Sequence, residues 1–367
     1  MPRRRSRVPA RTTTGADRLL TPVGTLGRLP AMPTPERLVE DGMRHWGRLA
    51  DRPAVVDPLE VYGGLARRLK RVRLKEWVGF TLSHPDWYSS LIIQDAHYLA
   101  SSEIYAYDRA GGVLHQQAAN AAGGSPVLPA ELLENSCRFE RDGYRVAYSF
   151  SRTSARHRIE IDIARTAKAP AIRGELELDA EAATAPLSVS SRLPGGSMYT
   201  HKAAFPASGV LRVGDTEVVF EPHRDLATLD EHRSLLPYRT DWVWGTFATS
   251  TDAGPVVGAN FAARPELAGE PEESCLWTPG RCEPLGDIAF EPTSADPSAA
   301  WHIASRDGRL DVVFEPEGRK QVKHNLGLFA VDYFQLFGRY RGVIRGAGGD
   351  VEVKDVHGVC ERMKARL

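Results

Sequence analysis

The chain has 367 residues, enough for about two domains with full cores. Hydrophobic residues make up 42% and charged residues 26%, which excludes wholesale disorder. Lys plus Arg equal Asp plus Glu at 47 each, so no global field exists to draw the protein onto nucleic acid or an anionic membrane.

The first 20 residues are basic but lack the apolar core of a secretory signal, and they read as a disordered tail. Residues 21–66 are expected to carry one helix. Thr34 caps it, Pro35 occupies its first turn, and Leu38, Val39, Met43, Trp46 and Leu49 recur at helical spacing. This helix is expected to cover part of a sheet.

From Val72 onward the pattern is short extended segments bounded by turn residues, with about eighteen strand-like runs in all. Asp142-Gly143, Gly214-Asp215 and Asp307-Gly308 each separate two alternating runs and predict hairpins. Residues 158–165 alternate strictly, so one face of that strand meets water. Residues 326–337 are apolar on both faces and predict a strand covered on both sides. No βαβ rhythm appears.

The richest stretch is 238–261, a strand followed by a returning strand. Tyr238, Thr240, Trp242 and Trp244 share one face, and their rings and hydroxyls suit the wall of an apolar ligand cavity. A strand pair Asp95/His97, about 6.5–7 Å apart on one face, offers acid–base chemistry. Asp332, embedded between Val331 and Tyr333, is the candidate acid, because an apolar setting would raise its pKa. Asp95 and His97 would assist it. His201, Lys202, Asp230 and His232 gather near the junction between halves, where an exposed connection is expected.

There is no GxGxxG after a strand, no P-loop, no GxSxG and no HExxH. Neither a cofactor nor a metal is therefore expected. The four Cys form no CxxC pair and suit reduced thiols in a cytoplasmic protein. No apolar run is long enough to span a membrane as a helix, and no basic stripe accompanies the Trp residues to bind nucleic acid.

Leu74–Trp77 (LKEW), Gln94–Tyr98 (QDAHY), His201–Gly209 (HKAAFPASG), Pro237–Gly245 (PYRTDWVWG), Phe337–Ile344 (FGRYRGVI) and His357–Glu361 (HGVCE) together resemble the domain-of-unknown-function family 2804. That family is distantly similar to calycin-like two-barrel proteins, among them carotenoid hydratases, tocopherol cyclases and lipid-binding proteins. The resemblance implies two packed lipocalin-like antiparallel barrels. The expected organisation is thus all-β, with barrels at 67–232 and 233–367 and one N-terminal covering helix. The expected function is binding of a hydrophobic, isoprenoid- or acyl-like molecule or lipid in a barrel cavity. The alternative is an acid-catalysed hydratase, cyclase or isomerase acting on such a substrate.

Overall fold

A computed structural model of the chain describes residues 31–250, 254–296 and 298–367. The expected tail at 1–20 lies outside the described residues. Residues 31–367 form a single unit built almost entirely of antiparallel strands, arranged as two near-barrel sheets.

The first sheet has thirteen strands among the described residues. Two meanders, one running from Leu74–Ser83 to Val113–Ala122 and one from Asn135–Arg141 to Ile172–Asp179, meet at the long strands Gly196–Val213 and Leu226–Leu235. The hairpins at Asp142-Gly143 and Gly214-Asp215 form as the turn chemistry requires, with Arg141 opposite Tyr144 and Val213 opposite Thr216. Inward residues such as Phe80, Phe139, Tyr148 and Leu176 fill this barrel.

Charge closes one end of that barrel. Glu231, fully buried, takes a two-pronged contact from Arg52 at 2.7 and 2.8 Å and a third from Arg233 at 3.0 Å. Arg233 also bonds Glu76 at 2.6 Å. Arg52 spends its remaining donors on the carbonyls of Pro53, Ala54 and Ala130, so the buried charges are paired and their donors met.

The second sheet has nine strands among the described residues, with Arg239–Ser250 and Gly349–Arg366 at its centre. Phe247, Phe261, Phe314 and Tyr340 fill its interior. Its long strands Leu310–Leu326 and Phe329–Gly346 run beyond the barrel. Residues 329–331 are therefore half-exposed rather than covered on both faces.

The N-terminal segment departs from expectation. Val39–Glu40 pairs with Met43–Arg44 across Asp41-Gly42, both at positive φ (52° and 74°). Those backbone angles are those of a two-residue hairpin turn, which an Asp-Gly dipeptide favours; the helical spacing of Leu38, Val39 and Met43 was coincidental. Gly47–Leu49 then joins the first sheet beside Leu187–Leu193. The helix that does form, α1 (Gly64–Arg71), buries none of its own residues and rests on the neighbouring segment 57–62 rather than over a sheet.

A candidate active site between the barrels

The Trp strand Arg239–Ser250 sits where the two barrels meet, so residues 244–248 are buried on both of its faces. Phe247 points into the second barrel's core, with Val243 packed beside it. Trp242 and Trp244 point the other way, toward the first sheet, and Trp244 packs in the cluster of Tyr88, Tyr105, Tyr107 and Phe337. The Trp face therefore lines the seam rather than a barrel interior.

Within the seam lies a cavity of about 30 Å³ walled by Trp77, Trp242, Trp244, Met198, Leu236, Lys202, Asp230, His232, Arg264, Glu273 and Glu361. That volume holds about one or two waters. Strand register brings the polar groups together. Lys202 lies directly across from Asp230, His232 across from Trp77, and Trp244 across from Glu361.

Lys202, only 1% exposed, pairs with Asp230 and sits 3.7 Å from Glu273 Oε2. Its ammonium also lies 4.6 Å from the centre of the Trp244 ring, a cation–π contact strengthened by exclusion of water. The Trp77 indole donates to Asp230 at 3.0 Å and stacks on His232 at 4.3 Å. Trp244 donates to Asn260 at 3.0 Å, which fixes its ring.

Two carboxyls on this wall are driven in opposite directions. Burial raises the Glu361 pKa above the usual carboxyl range, and donation from Trp242 (3.0 Å), Tyr333 (2.7 Å) and Gln335 (2.9 Å) offsets only part of that rise. Tyr105 in turn donates to Gln335 at 2.5 Å, holding the amide in place. Glu273 is equally desolvated, but Arg264, Lys202 and His232 outweigh burial and hold its pKa well below the usual range. Arg264 bonds Glu273 Oε1 at 2.8 Å. Glu273 Oε2 lies 3.2 Å from His232 Nε2 yet makes no aligned hydrogen bond. Of the four oxygens of the two carboxyls it is the one that accepts no hydrogen bond.

Glu273 and Arg264 arrive on the connection 264–274, which is tied to the first barrel. Arg192 pairs with Glu270 at 2.8 Å, Arg48 donates to the carbonyls of Glu272 and Ser274, and Ser191 donates to the Pro271 carbonyl. The site is thus completed by a segment that belongs to neither barrel wall.

The residues singled out from the sequence are distributed unevenly around this site. Trp242 and Trp244 line the cavity. Thr240 is half-buried on the same face but does not line it, and Tyr238 is exposed, donating to the Leu328 carbonyl. Asp332 is exposed beside Lys323 at 3.5 Å, on the solvent face of a hairpin that projects past the barrel core, so the desolvation expected of it is missing. Asp95 accepts from the backbone N–H of His97 at 2.7 Å and of Gly124 at 2.8 Å, binding a turn together. His97, at φ 67°, contacts Glu76 at 2.8 Å at the charged end of the first barrel. Neither Asp95 nor His97 lines the cavity.

Lys202, Asp230 and His232 do converge, but as a buried cluster instead of an exposed connection. Their neighbour His201 points to the opposite face, into the first barrel near Glu231. Glu273 and Glu361 escaped the sequence reading. The available signal was the placement of Glu361 beside the buried Cys360 at the end of the HGVCE motif.

Among the described residues no group of three or more His, Cys, Asp or Glu is arranged to hold a metal ion, and all four Cys are free thiols. No helix among them is long and apolar enough to cross a membrane.

Among solved structures the chain is similar to CghA with Sch210972, at 13% identity over 80% of this chain and 88% of that one, with a TM-score of 0.49. It is also similar to kievitone hydratase from Nectria haematococca, at 9% identity over 88% and 97% of the two chains, with a TM-score of 0.46. No curated protein matches it. Residues 55–367 match the model of the domain of unknown function DUF2804, and the chain belongs to that family.

Proposed function

We propose that the protein performs acid–base chemistry on a small, mainly apolar molecule held between the barrels: a hydration, a cyclisation or an isomerisation. The observation that supports this reading is the opposed pair of buried carboxyls at one Trp-lined cavity. Two carboxyls pushed apart in proton affinity supply a donor and an acceptor at the same pH. Glu361 is the acid: it delivers its proton to an alkene carbon or a leaving oxygen. Glu273 Oε2, assisted by His232, takes the balancing proton from water or from substrate carbon. Lys202 over Trp244 supplies fixed positive charge for developing negative charge on an oxygen.

Binding of a hydrophobic molecule is common to this reading and to simple carriage, and Trp77, Trp242 and Trp244 are its contact surface in both. The buried acid favours turnover, since a carrier gains nothing from a desolvated carboxyl. The cavity must widen to admit substrate, and the tethered connection 264–274 is the element positioned to yield.

The test is to incubate the purified protein and its Glu361→Gln variant with a small-molecule extract and to follow the components by mass spectrometry. The wild type should shift one component by the mass of water, or convert it to an isomer of the same mass. Glu361→Gln should still retain that component but slow its conversion by at least about a hundredfold. Retention by the wild type with no conversion would leave carriage as the function.

A further inference from the structure

Helix α1 (GLARRLKR, Gly64–Arg71) is amphipathic in the wrong sense for a soluble protein. Leu65, Leu69 and Val72 follow the i, i+4, i+7 spacing of one stripe, and that stripe faces outward: Leu65 is 71% and Leu69 66% exposed. The polar side faces the body of the protein. Arg67 pairs with Asp57, and Lys70 lies over the Tyr62 ring at 5.4 Å.

Other exposed apolar groups adjoin the helix. Arg71 contacts His97 at 3.5 Å, and the neighbouring Tyr98, 44% exposed, meets Phe329 edge-on at 6.2 Å. Leu328, at the tip of that hairpin, is 84% exposed. Around these groups stand Arg68, Lys70, Arg71 and Arg73, none of which pairs with a carboxylate among the described residues. Cations in the last turn of a helix suit its dipole; leucines turned to water have no comparable reason to be there. Arg73 also donates to the carbonyl of Leu236 at 2.9 Å, and Leu236 lines the cavity, so the basic cluster is one hydrogen bond away from the cavity wall.

From the outward leucine stripe and its unpaired cations, we infer that this end of the protein docks on a lipid bilayer bearing anionic headgroups. Leu65, Leu69 and Leu328 enter the interface, while Arg68, Lys70, Arg71 and Arg73 meet the headgroups. The balance of charge over the whole chain does not oppose this, because screening confines the attraction to the local cluster. The inference stands apart from the cavity chemistry.

The test is co-sedimentation of the full-length protein with phosphatidylcholine vesicles, with and without phosphatidylglycerol, at low and high salt. The protein should pellet with the anionic vesicles, less with phosphatidylcholine alone, and should be released by salt. Leu65→Ser with Leu69→Ser should weaken binding at least about tenfold. Arg68→Ala and Arg71→Ala should each weaken it roughly fivefold. These positions are exposed, so each variant should keep the wild-type melting temperature, and Glu361→Gln should pellet like the wild type. Wild-type protein left in the supernatant with anionic vesicles, or a leucine double variant that pellets unchanged, would overturn the inference. So would retention on polyglutamate without pelleting, which would mark the patch as a site for an acidic protein.

Discussion

Glu361 and Glu273 are the same side chain on the same cavity wall, and their neighbours alone separate them. Glu361 receives three neutral donors; Glu273 is surrounded by Arg264, Lys202 and His232. Hydrogen bonds from neutral groups offset part of the cost of burying a charge, whereas cations at close range reverse it. His201 shows the same physics outside the site. Burial pushes its imidazole down to about 4; Glu231 and Asp51 oppose that shift and Arg52 adds to it, while its Nδ1 has no hydrogen-bond partner. Because the folded pKa lies below the unfolded value of about 6.5, the unfolded chain takes the proton first as pH falls. The stability linked to neutral His201 is therefore complete above pH 6.5 and is lost as pH drops toward 4. Urea denaturation at pH 7 and pH 4.5 should show that His201→Asn loses about 2–3 kcal/mol less than the wild type over that interval. Equal losses in the two proteins would mean that this imidazole is not the group being protonated.

At the level of single elements, the Trp strand works because Gly245 interrupts it. A Cβ there would lie 2.5 Å from the Phe261 ring and 2.8 Å from the Tyr340 hydroxyl, inside the second barrel. The missing side chain lets the strand press against those rings while Trp242 and Trp244 project into the seam. Gly245→Ala should cost about 1–3 kcal/mol in urea denaturation through overpacking, and a variant as stable as the wild type would show that the strand can move outward freely. The hairpin at 39–44 teaches a different lesson. Val39 and Met43 fit a helical stripe, yet Asp41-Gly42 between them carries the stronger signal, because few residue pairs accept positive φ twice in succession. Turn chemistry outweighed periodicity there. The hairpins at Asp142-Gly143, Gly214-Asp215 and Asp307-Gly308 were legible through one position each, since only the glycine of each pair takes a positive φ (69°, 61° and 71°).

For the whole molecule, the seam is where the two barrels become one structure. Phe337 of the second sheet packs against the rings of Tyr88, Tyr105 and Tyr107 of the first at 4.7–5.9 Å between centres. Beside it, Glu317 of the second sheet takes a two-pronged contact from Arg109 of the first at 2.8 and 2.9 Å. Phe337→Ala should cost about 3–5 kcal/mol and should split the thermal transition, with tryptophan fluorescence melting before far-ultraviolet circular dichroism. A single coincident transition in that variant would show that the barrels are coupled elsewhere.

The sequence by itself determined that this is an all-β chain, where three of its hairpins fall, and that Trp242 and Trp244 share a face. Period and turn preference are local properties, carried by a few adjacent residues whatever the rest of the chain does. It also placed Lys202, Asp230 and His232 near one another. Only the tertiary structure decided which side of the Trp strand is the inside of a barrel. Alternation distinguishes two faces but labels neither, and a strand at the seam has both faces buried, so polarity gives no cue. For the same reason Asp332, in an apolar-looking run, lies at the surface of a projecting hairpin, while Glu361 and Glu273, in polar-looking surroundings of Arg362 and Glu272, lie buried. They meet only because Gly349–Arg366 and the connection 264–274 are brought to one cavity, and that is a property of how the barrels pack.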